Sequence, residues 1–530
     1  MGSSEPRRPD EGIPAAASSF RLEADLIGEL SVPSDAYYGI HTLRARANFA
    51  VSRTPVHPAL IWALALIKKA AALANVELGL LQPKIGNALA LAAGELADEA
   101  AYDLQVEEPA AATTRGRLMR CIVVDAFQGG AGTSTNMNVN EVIANRAIEL
   151  LGGRRGDYSI VHPLDHVNLG QSTNDVFPTA VRIATIRLVR EMAQSMALLQ
   201  GALQAKEQEF ASILKVGRTE MQDAVPITLG QEFGAYSEAI ARDWWRLYKA
   251  EERLRQVNLG GTAVGTGLNA DRRYIFRVIE ILRDLTGFGL ARAENMIEAT
   301  QNADVFAEVS GFVKAAAVNL AKIAADLRLL SSGPGAGIAE IQLPAVQAGS
   351  SIMPGKVNPV MTEMVTQVAY QVMANDVAIG LAAASGQLEL NAFLPLVAHD
   401  LLNSLEMMSR AARLFATRCI QGIRADAQRC RELLDRSNAL ITAFAPYLGY
   451  DEAGRVARKA AAEKTGVVDV LLKEGLFTPE EVQTVLRPEE LTTPGVAGAR
   501  RLKPGKRVRE ETEGTARPFH HQTGGTENDA

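Results

Sequence analysis

Long stretches of the chain repeat apolar residues every three or four positions, which is the pattern of helices that bury one face. The same spacing recurs after Pro359 and again from about Pro226 to residue 257. Strand-like alternation is weak and lies mostly within residues 21–33, so the pattern predicts a mainly α protein with a long central helical bundle. The clearest helical stripe consists of Val313, Ala316, Leu320, Ile323, Leu327 and Leu330.

Length and polar segments predict how the chain is divided. A chain of 530 residues is too long for one hydrophobic core. Both ends are rich in polar and small residues with little to bury, which predicts disordered tails over 1–18 and 502–530. Between them we predict an N-terminal domain over 19–171, a central helical-bundle domain over 172–427 and a small C-terminal helical domain over 428–501.

Composition and charge argue against several classes of protein. The net charge of −6 comes without a basic stripe, which argues against nucleic-acid binding. The longest apolar run, 58–67, ends at Lys68 and is too short to cross a bilayer, and the first residues lack the apolar centre of a secretory signal. Three cysteines without metal-ligand spacing are typical of free thiols in a reducing compartment. We therefore expect a cytoplasmic protein with no membrane partner and no metal site.

Four short, glycine-punctuated loops carry most of the hydroxyl and amide side chains that suit a polar ligand. Any one of them is explained equally well as a helix cap. Together they offer neutral hydrogen-bond donors and one cation, Lys356, to a small dianionic ligand, with helix N-termini adding partial positive charge. The loops are GGAGTSTNMNVNE (129–141), DHVNLGQSTNDVFP (165–178), KVGRTEMQDAVP (215–226) and GSSIMPGKVNP (349–359).

The last of these loops resembles the signature loop of the fumarase/aspartase superfamily, and the resemblance extends from about residue 20 to residue 500. Other segments resemble the aspartase branch more than the fumarase branch. These segments are DAYYGIHTLRARANF (35–49), QSTND (171–175), NLGGTAVGTGLN (258–269), GQLELN (386–391) and TTPGVAG (492–498).

The resemblance implies a three-domain fumarase/aspartase-like fold and a reaction on a small dicarboxylate. In such enzymes a base removes a proton from C3 of a succinyl compound, and the C2 substituent leaves as fumarate forms. For the aspartase branch this is the release of ammonia from L-aspartate through an aci-carboxylate intermediate. Ser350 corresponds to the base. The implied substrate-binding residues are Thr133, Ser172, Thr173 and Ser351 for the aci-carboxylate, Lys356 and Asn358 for the other carboxylate, and Asn174 and Thr219 for the amino group.

Glu220 departs from the family pattern, because relatives carry His or Gln at this position. In fumarases that His works with a glutamate, which is matched here by Glu363. A carboxylate beside a substrate ammonium is electrostatically favourable, so we hypothesise that Glu220 contacts the amino group and that Glu363 helps to relay the proton of the departing ammonia. The alternative is that Glu220 only solvates the start of a helix.

The resemblance also implies an assembly. Members of the family form homotetramers whose active sites are shared by three subunits, with the Thr133 region, the Ser172–Thr219 regions and the Ser350 loop on different chains. Gly349 and Gly355 are expected to act as hinges of a lid. No cofactor is required for this chemistry, although a divalent cation remains open as an activator.

Three other functions stay open from the sequence. The first is a class II fumarate hydratase that converts fumarate to L-malate, although the absence of His at position 220 speaks against it. The second is a lyase that acts on another amino-substituted succinate. The third is a scaffold that keeps the fold without activity, which the presence of Ser350, Lys356 and Asn358 disfavours.

Overall fold

The computed structural model describes residues 19–105 and 116–502, and within these ranges the protein is mainly α, as predicted. The short strands pair only two by two. The strands are β1 (Phe20–Asp25), β2 (Gly28–Pro33), β3 (Leu214–Thr219), β4 (Gln222–Thr228), β5 (Gln256–Val257), β6 (Ala291–Arg292), β7 (Ile341–Gln342) and β8 (Arg424–Ala425). The helices are α1 (Ile40–Asn48), α2 (Pro58–Glu77), α3 (Pro83–Gln105), α4 (Thr133–Leu150), α5 (Thr173–Glu209), α6 (Leu229–Leu254), α7 (Arg272–Thr286), α8 (Met296–Gln301), α9 (Asp304–Leu330), α10 (Val360–Ala384), α11 (Leu394–Arg418), α12 (Ala427–Arg436), α13 (Ile441–Leu448), α14 (Tyr450–Glu463), α15 (Val467–Lys473), α16 (Pro479–Val485) and α17 (Pro488–Leu491).

The described residues group into two compact units. The first comprises Met1–Gln200, Glu238–Asp326 and Gly349–Cys419, so far as these segments are described. The second comprises Gly201–Ser237, Leu327–Ala348 and Ile420–Ala530, with the same restriction. The division into three domains stays a prediction, and the predicted tails lie outside the described residues except for residue 502.

Five long helices, which lie wholly or mostly in the first unit, form a bundle that polar contacts close into a ring. The predicted apolar stripe of α9 is buried, with every member at most 5% exposed. Side-chain hydrogen bonds of 2.8–3.0 Å link the neighbours around the ring. The bond between α5 and α6 is exposed, whereas the other four are partly buried, where polar groups need partners. The pairs are Arg190–Glu251 (α5–α6), Asp243–Asn319 (α6–α9), Ser310–Asp376 (α9–α10), Asn375–Ser404 (α10–α11) and Ser409–Ser195 (α11–α5).

Helix α2 packs in the core of the same unit through small side chains. Ala63, Ala70 and Ala74 are fully buried, and alanine faces let the neighbouring helix α3 approach closely. Among the described residues α2 is the one helix long and apolar enough to cross a membrane, yet 78% of its apolar window is buried inside the protein. That burial is expected of a core helix.

The second unit has a separate apolar core formed by the C-terminal helices. Phe444 and Phe477 meet edge to face at 4.8 Å, with Val456 and Val470 fully buried around them. The hairpin of β3 and β4 belongs to this unit.

The start of α6 differs from the prediction. We expected a helix from about Pro226, but residues 222–228 form β4, in which Pro226 pairs with Val216. The helix begins at Leu229 because Thr228 and Gln231 form a reciprocal cap. The Thr228 hydroxyl accepts the N–H of Gln231 at 3.0 Å, and the Gln231 side chain accepts the N–H of Thr228 at 3.1 Å.

Candidate active site

The first polar loop ends at the N-terminus of α4, where Thr133 is exposed. The chain enters the helix through Gly132, whose φ of 93° favours glycine. The Thr133 hydroxyl donates to the Gly130 carbonyl at 2.7 Å. Its proton is therefore engaged with the backbone and must rotate away before it can reach a ligand.

The second loop ends at the N-terminus of α5, where Ser172 caps the helix as the alternative interpretation predicted. The Ser172 hydroxyl accepts the N–H of Asn174 at 3.3 Å, and the Ser172 N–H donates to the side chain of Asp175 at 3.0 Å. Because the Ser172 oxygen is used as an acceptor, its own proton is left to donate to a ligand. Capping and ligand binding are thus compatible at this residue.

A side-chain contact joins the starts of α4 and α5. Asn136, one turn into α4, donates to the hydroxyl of Thr173 at 3.1 Å, and both residues are buried. The Thr173 hydroxyl, like that of Ser172, keeps its proton for a ligand. This contact joins the starts of α4 and α5 within one chain. The expectation that the Thr133 region and the Ser172 region serve one site from different chains stays a prediction.

Asp175 fixes a third segment, the glycine-rich stretch 260–267, to the start of α5. Its carboxylate is fully buried and accepts the backbone N–H groups of Gly260 and Thr262, each at 3.0 Å. Burial raises the pKa of Asp175 to about 7, against the lowering effect of these N–H groups and of Lys68. The same stretch supplies the carbonyl of Ala263, to which the Asn174 amide donates at 2.8 Å.

An open cleft of about 580 Å³ borders Ser172 and the stretch 260–267. The side-chain amide of Asn174 donates one N–H group to a backbone carbonyl. Its side-chain carbonyl oxygen is therefore the atom that suits a cationic ligand group. Hydroxyl donors, helix N-termini and this acceptor together suit a small anion that also carries an ammonium. The cleft walls include Asn168, Gln171, Ser172, Thr262 and Ala263.

The loop 349–359 holds Ser350 through its own backbone. The Ser350 oxygen accepts the N–H groups of Ile352 at 3.2 Å and Met353 at 3.0 Å. Hydrogen bonds to an oxygen favour its negatively charged form. The loop therefore provides backbone donors of the kind that a serine base without a histidine requires.

The other predicted residues of this loop lie on or near the surface. Ser351 and Lys356 are exposed, whereas Asn358 is half-buried and donates to the Gly349 carbonyl at 2.8 Å. This bond and the one from the Gly349 N–H to the Lys356 carbonyl, at 2.9 Å, close the loop at its base. Glu363 follows in the first turn of α10 and is half-buried.

Thr219 and Glu220 lie in the second unit, at the tip of the β3–β4 hairpin. Glu220 and Met221 form its two-residue turn with φ values of 52° and 64°, although neither is a glycine. Both are exposed. The alternative that Glu220 solvates a helix start is wrong, because no helix begins there. Residues kept in this conformation cluster at functional sites. Proximity of Glu220 to Glu363 stays a prediction.

The family model described as "Lyase" matches residues 28–374, and that described as "Fumarase C C-terminus" matches residues 440–493. The aspartate ammonia-lyase of Bacillus subtilis (strain 168) is 46% identical over 484 residues, which is 91% of this chain and 98% of that protein. The chain belongs to the fumarase/aspartase superfamily.

Solved structures of the superfamily share the fold. The fumarate lyase:delta crystallin of Brucella melitensis bound to cobalt is 46% identical and superposes with a TM-score of 0.84, covering 90% of this chain and 100% of that one. The class II fumarase of Schistosoma mansoni reaches a TM-score of 0.83 with the same coverage but is 34% identical. The fold predicted from the resemblance is confirmed.

Sequence reasoning in terms of superfamily motifs missed the residues that hold the donors in place. Asp175 stands inside the QSTND motif, whose pattern does not single it out. Asn136 stands inside the first polar loop in the same way. The available signal was a polar residue at an inward-facing position of each motif. A buried polar side chain needs a partner, so such a residue indicates a supporting contact.

The described residues contain no group of three or more His, Cys, Asp or Glu side chains that would hold a metal ion. The three cysteines are free thiols, as expected. His520 and His521, the histidine pair near the C-terminus, lie outside the described residues.

Proposed function

We propose that the protein is an ammonia-lyase that converts L-aspartate reversibly to fumarate and ammonia. The observation that carries the proposal is the 46% identity to an aspartate ammonia-lyase over nearly its whole length. The lower identity of 34% to a class II fumarase supports the same branch. The hydroxyl donors at the starts of α4 and α5 and the serine loop suit a dicarboxylate substrate.

Ser350 begins the reaction by taking the proton from C3. The N–H groups of Ile352 and Met353 stabilise its alkoxide, so no imidazole is needed. The electron pair left on C3 spreads into the neighbouring carboxyl group, which becomes the doubly charged aci-carboxylate. When this intermediate collapses, the C2–N bond breaks, the C2=C3 bond forms and ammonia leaves.

The aci-carboxylate needs preorganised donors because its charge develops only during the reaction. Ser172 and Thr173 supply hydroxyl protons from the start of α5, and each such donor contributes about 2.7–4 kcal/mol. Thr133 contributes after its hydroxyl turns from the Gly130 carbonyl, and Ser351 contributes from the loop. Lys356 and Asn358 hold the other carboxylate, Lys356 supplying positive charge and Asn358 its second N–H group.

The amino group is bound by acceptors. Asn174 offers its carbonyl oxygen, and Thr219 and Glu220 contact the ammonium from the hairpin tip. Glu363 passes on the proton of the departing ammonia.

The direct test of the proposed function is fumarate absorbance after the protein meets L-aspartate or, separately, L-malate. Signal from aspartate alone is expected. Signal from malate alone would make the protein a hydratase, and silence with both would direct the search to other amino-substituted succinates.

Glu220→Gln tests the role of the hairpin tip. We expect lower turnover and an altered pH profile, because the substitution removes the negative charge beside the ammonium. Met221→Gln is the matched control, since it places the same side chain at the other exposed position of the turn. Parental kinetics in Glu220→Gln would remove Glu220 from the mechanism.

The working form is a homotetramer with active sites shared between subunits. Large apolar side chains exposed on the bundle helices support this, because patches of that kind mark interaction surfaces. Mixing Ser350→Ala with Ser172→Ala chains should restore part of the activity if the two residues serve one site from different subunits, and a fully active monomer on gel filtration would contradict the assembly. The exposed residues are Trp245, Tyr248, Val318, Tyr370, Val377 and Leu381.

The protein acts in the cytoplasm without a required cofactor, and a divalent cation serves at most as an activator. Free thiols, two of the three buried, fit a reducing compartment. Activity that survives dialysis against EDTA is expected, with a moderate change on addition of Mg²⁺. Complete loss on dialysis that Mg²⁺ restores would contradict the cofactor-free chemistry.

A further inference from the structure

Lys68 is a cationic residue enclosed in the protein beneath the second polar loop. It lies in the middle of α2 and is 2% exposed. Burial lowers the pKa of Lys68 to about 7. Enclosing an ammonium costs free energy unless its N–H groups are used, and an apolar side chain would fill this place more cheaply. The residue therefore calls for an explanation beyond packing.

The Lys68 ammonium bridges the two ends of one turn. It donates to the Asn168 side-chain oxygen at 3.0 Å and to the Gln171 side-chain oxygen at 2.9 Å. The turn is also closed by the Asn168 amide, which donates to the Gln171 carbonyl at 3.1 Å. Gln171 directly precedes Ser172, so the ammonium fixes the residue next to the two hydroxyls that are proposed to bind the substrate.

The same contact reaches the neighbouring donors through Asn168. Its side-chain oxygen also accepts the amides of Asn136 at 3.3 Å and Asn140 at 3.2 Å. Asn136 is the residue that holds the Thr173 hydroxyl. A single side-chain oxygen thus connects Lys68 on α2 with α4 and the start of α5.

The opposite side of the turn is fixed by packing. Gly170 has a φ of 72°, and a Cβ there would come within 3.2 Å of the Tyr274 ring. The ring is fully buried, so the turn is confined between Tyr274 and the ammonium. Lys68 contributes the polar half of this enclosure.

We infer that Lys68 is a positioning residue, which through Asn168 and Gln171 orients the Ser172 and Thr173 hydroxyls toward the substrate carboxylate. This inference rests on the proposed function. Lys68 touches no substrate; its N–H groups set the geometry of the residues that do. Misplacing such donors by about 1 Å can cost two orders of magnitude in rate.

The test compares Lys68→Met with Lys69→Met. Both place the same side chain on α2, but only the first removes donors from the turn. We expect Lys68→Met to lower kcat/KM about 100-fold, with kcat falling as well as KM rising, and Lys69→Met to stay within twofold of the parent. Lys68→Arg keeps donors at the same place and should recover at least tenfold of the loss.

Two outcomes would overturn the inference while aspartate activity stands. One is parental kcat/KM in a folded Lys68→Met. The other is a lowered melting temperature with unchanged kinetics, which would mean that Lys68 only supports the fold. If Lys68→Met does not fold, Gln171→Met removes one of the two acceptors at a half-buried position, and a drop of about tenfold is expected. Parental kinetics in that variant would overturn the inference equally.

A binding readout separates this inference from the proposed function. Succinate has the two carboxylates and no leaving group, and it should raise the melting temperature of the parent. If the parent releases no fumarate from aspartate, the proposed function fails. The positioning role would still be supported if succinate raises the melting temperature of the parent, and if Lys68→Met abolishes this rise and Lys68→Arg restores it. An equal shift in parent and Lys68→Met, or no shift in the parent, would overturn it.

Discussion

The start of α5 and the loop 349–359 hold the hydroxyls of the candidate site in opposite ways. Ser172 and Thr173 are fixed by side chains that are themselves buried, above all Asp175 and Asn136. Within the described part of the chain, the hydrogen bonds to the Ser350 oxygen come from N–H groups of its own loop, in which residues 351–357 are exposed. One region is supported by the core, and the other supports itself.

This difference indicates that the two regions suit different steps of the proposed reaction. Donors for a charge that develops in the transition state gain most from a rigid surrounding, because no reorganisation is then needed during the reaction. A base that must meet a substrate already bound gains from a segment that can close and exclude water. The rigid region therefore suits the aci-carboxylate, and the loop suits proton transfer.

The largest expected effect comes from Ser350→Ala. Loss of the base should lower kcat about 10²–10⁴-fold, while the free energy of unfolding changes by no more than about 0.5 kcal/mol, because the loop is open to water. Fumarate production and urea unfolding measure the two quantities. Ser332→Ala is the control, since the Ser332 hydroxyl also accepts a backbone N–H, that of Ile338 at 3.1 Å. Parental turnover in Ser350→Ala would remove it as the base.

Gly349→Ala tests whether turnover depends on the hydrogen bonds that close the two ends of the loop 349–359. A Cβ at this position would lie 2.5 Å from the Lys356 carbonyl oxygen and 2.8 Å from the Asn358 nitrogen, so the backbone must shift. We expect kcat/KM to fall roughly 10–100-fold, since Ser350 moves with it. Gly335→Ala meets no atom within 4 Å and should behave like the parent. Equal kinetics in both variants would show that the loop tolerates opening.

Asp175→Asn tests the rigid region. One carboxylate oxygen becomes an NH₂ group, so at least one of the N–H groups of Ser172, Gly260 and Thr262 loses its acceptor. The free energy of unfolding should fall by about 1–3 kcal/mol and KM should rise. Asp284→Asn on the exposed face of α7 is the control. A stable variant with parental KM would mean that the carboxylate does not hold the donors.

The sequence predicted those parts of the molecule that local patterns encode. The stripe of α9, the strands within 21–33 and the loop at 349–359 depend on residues close in sequence, and the structure contains each of them. The predicted loop at 129–141 is a loop only up to Gly132, because α4 begins at Thr133. The start of α6 was missed because a cap formed by Thr228 and Gln231 decided between strand and helix. A proline at 226 suits either interpretation.

The supports of the site could not be predicted in this way. Lys68 and Asn168 are 100 residues apart in the chain, and helical spacing does not tell which buried residues meet. In the sequence Lys68 served only as the end of an apolar run. Its position inside the helix, and not at an end, was the one local hint that it needs buried partners.

The smallest expected effect is the pH dependence of the free energy of unfolding that Lys68 causes from inside the enclosed region. The folded pKa of Lys68, about 7, lies below its ordinary value of 10.5. Between these values the unfolded chain binds more protons, so the stability of the parent relative to Lys68→Met should rise with pH, by at most about 1.4 kcal/mol per unit, and stay level below pH 7. Urea unfolding of both proteins at pH 6, 7, 8 and 9 measures this difference. A level difference throughout would mean that water reaches the ammonium, and the start of α5 would then be no more enclosed than the serine loop.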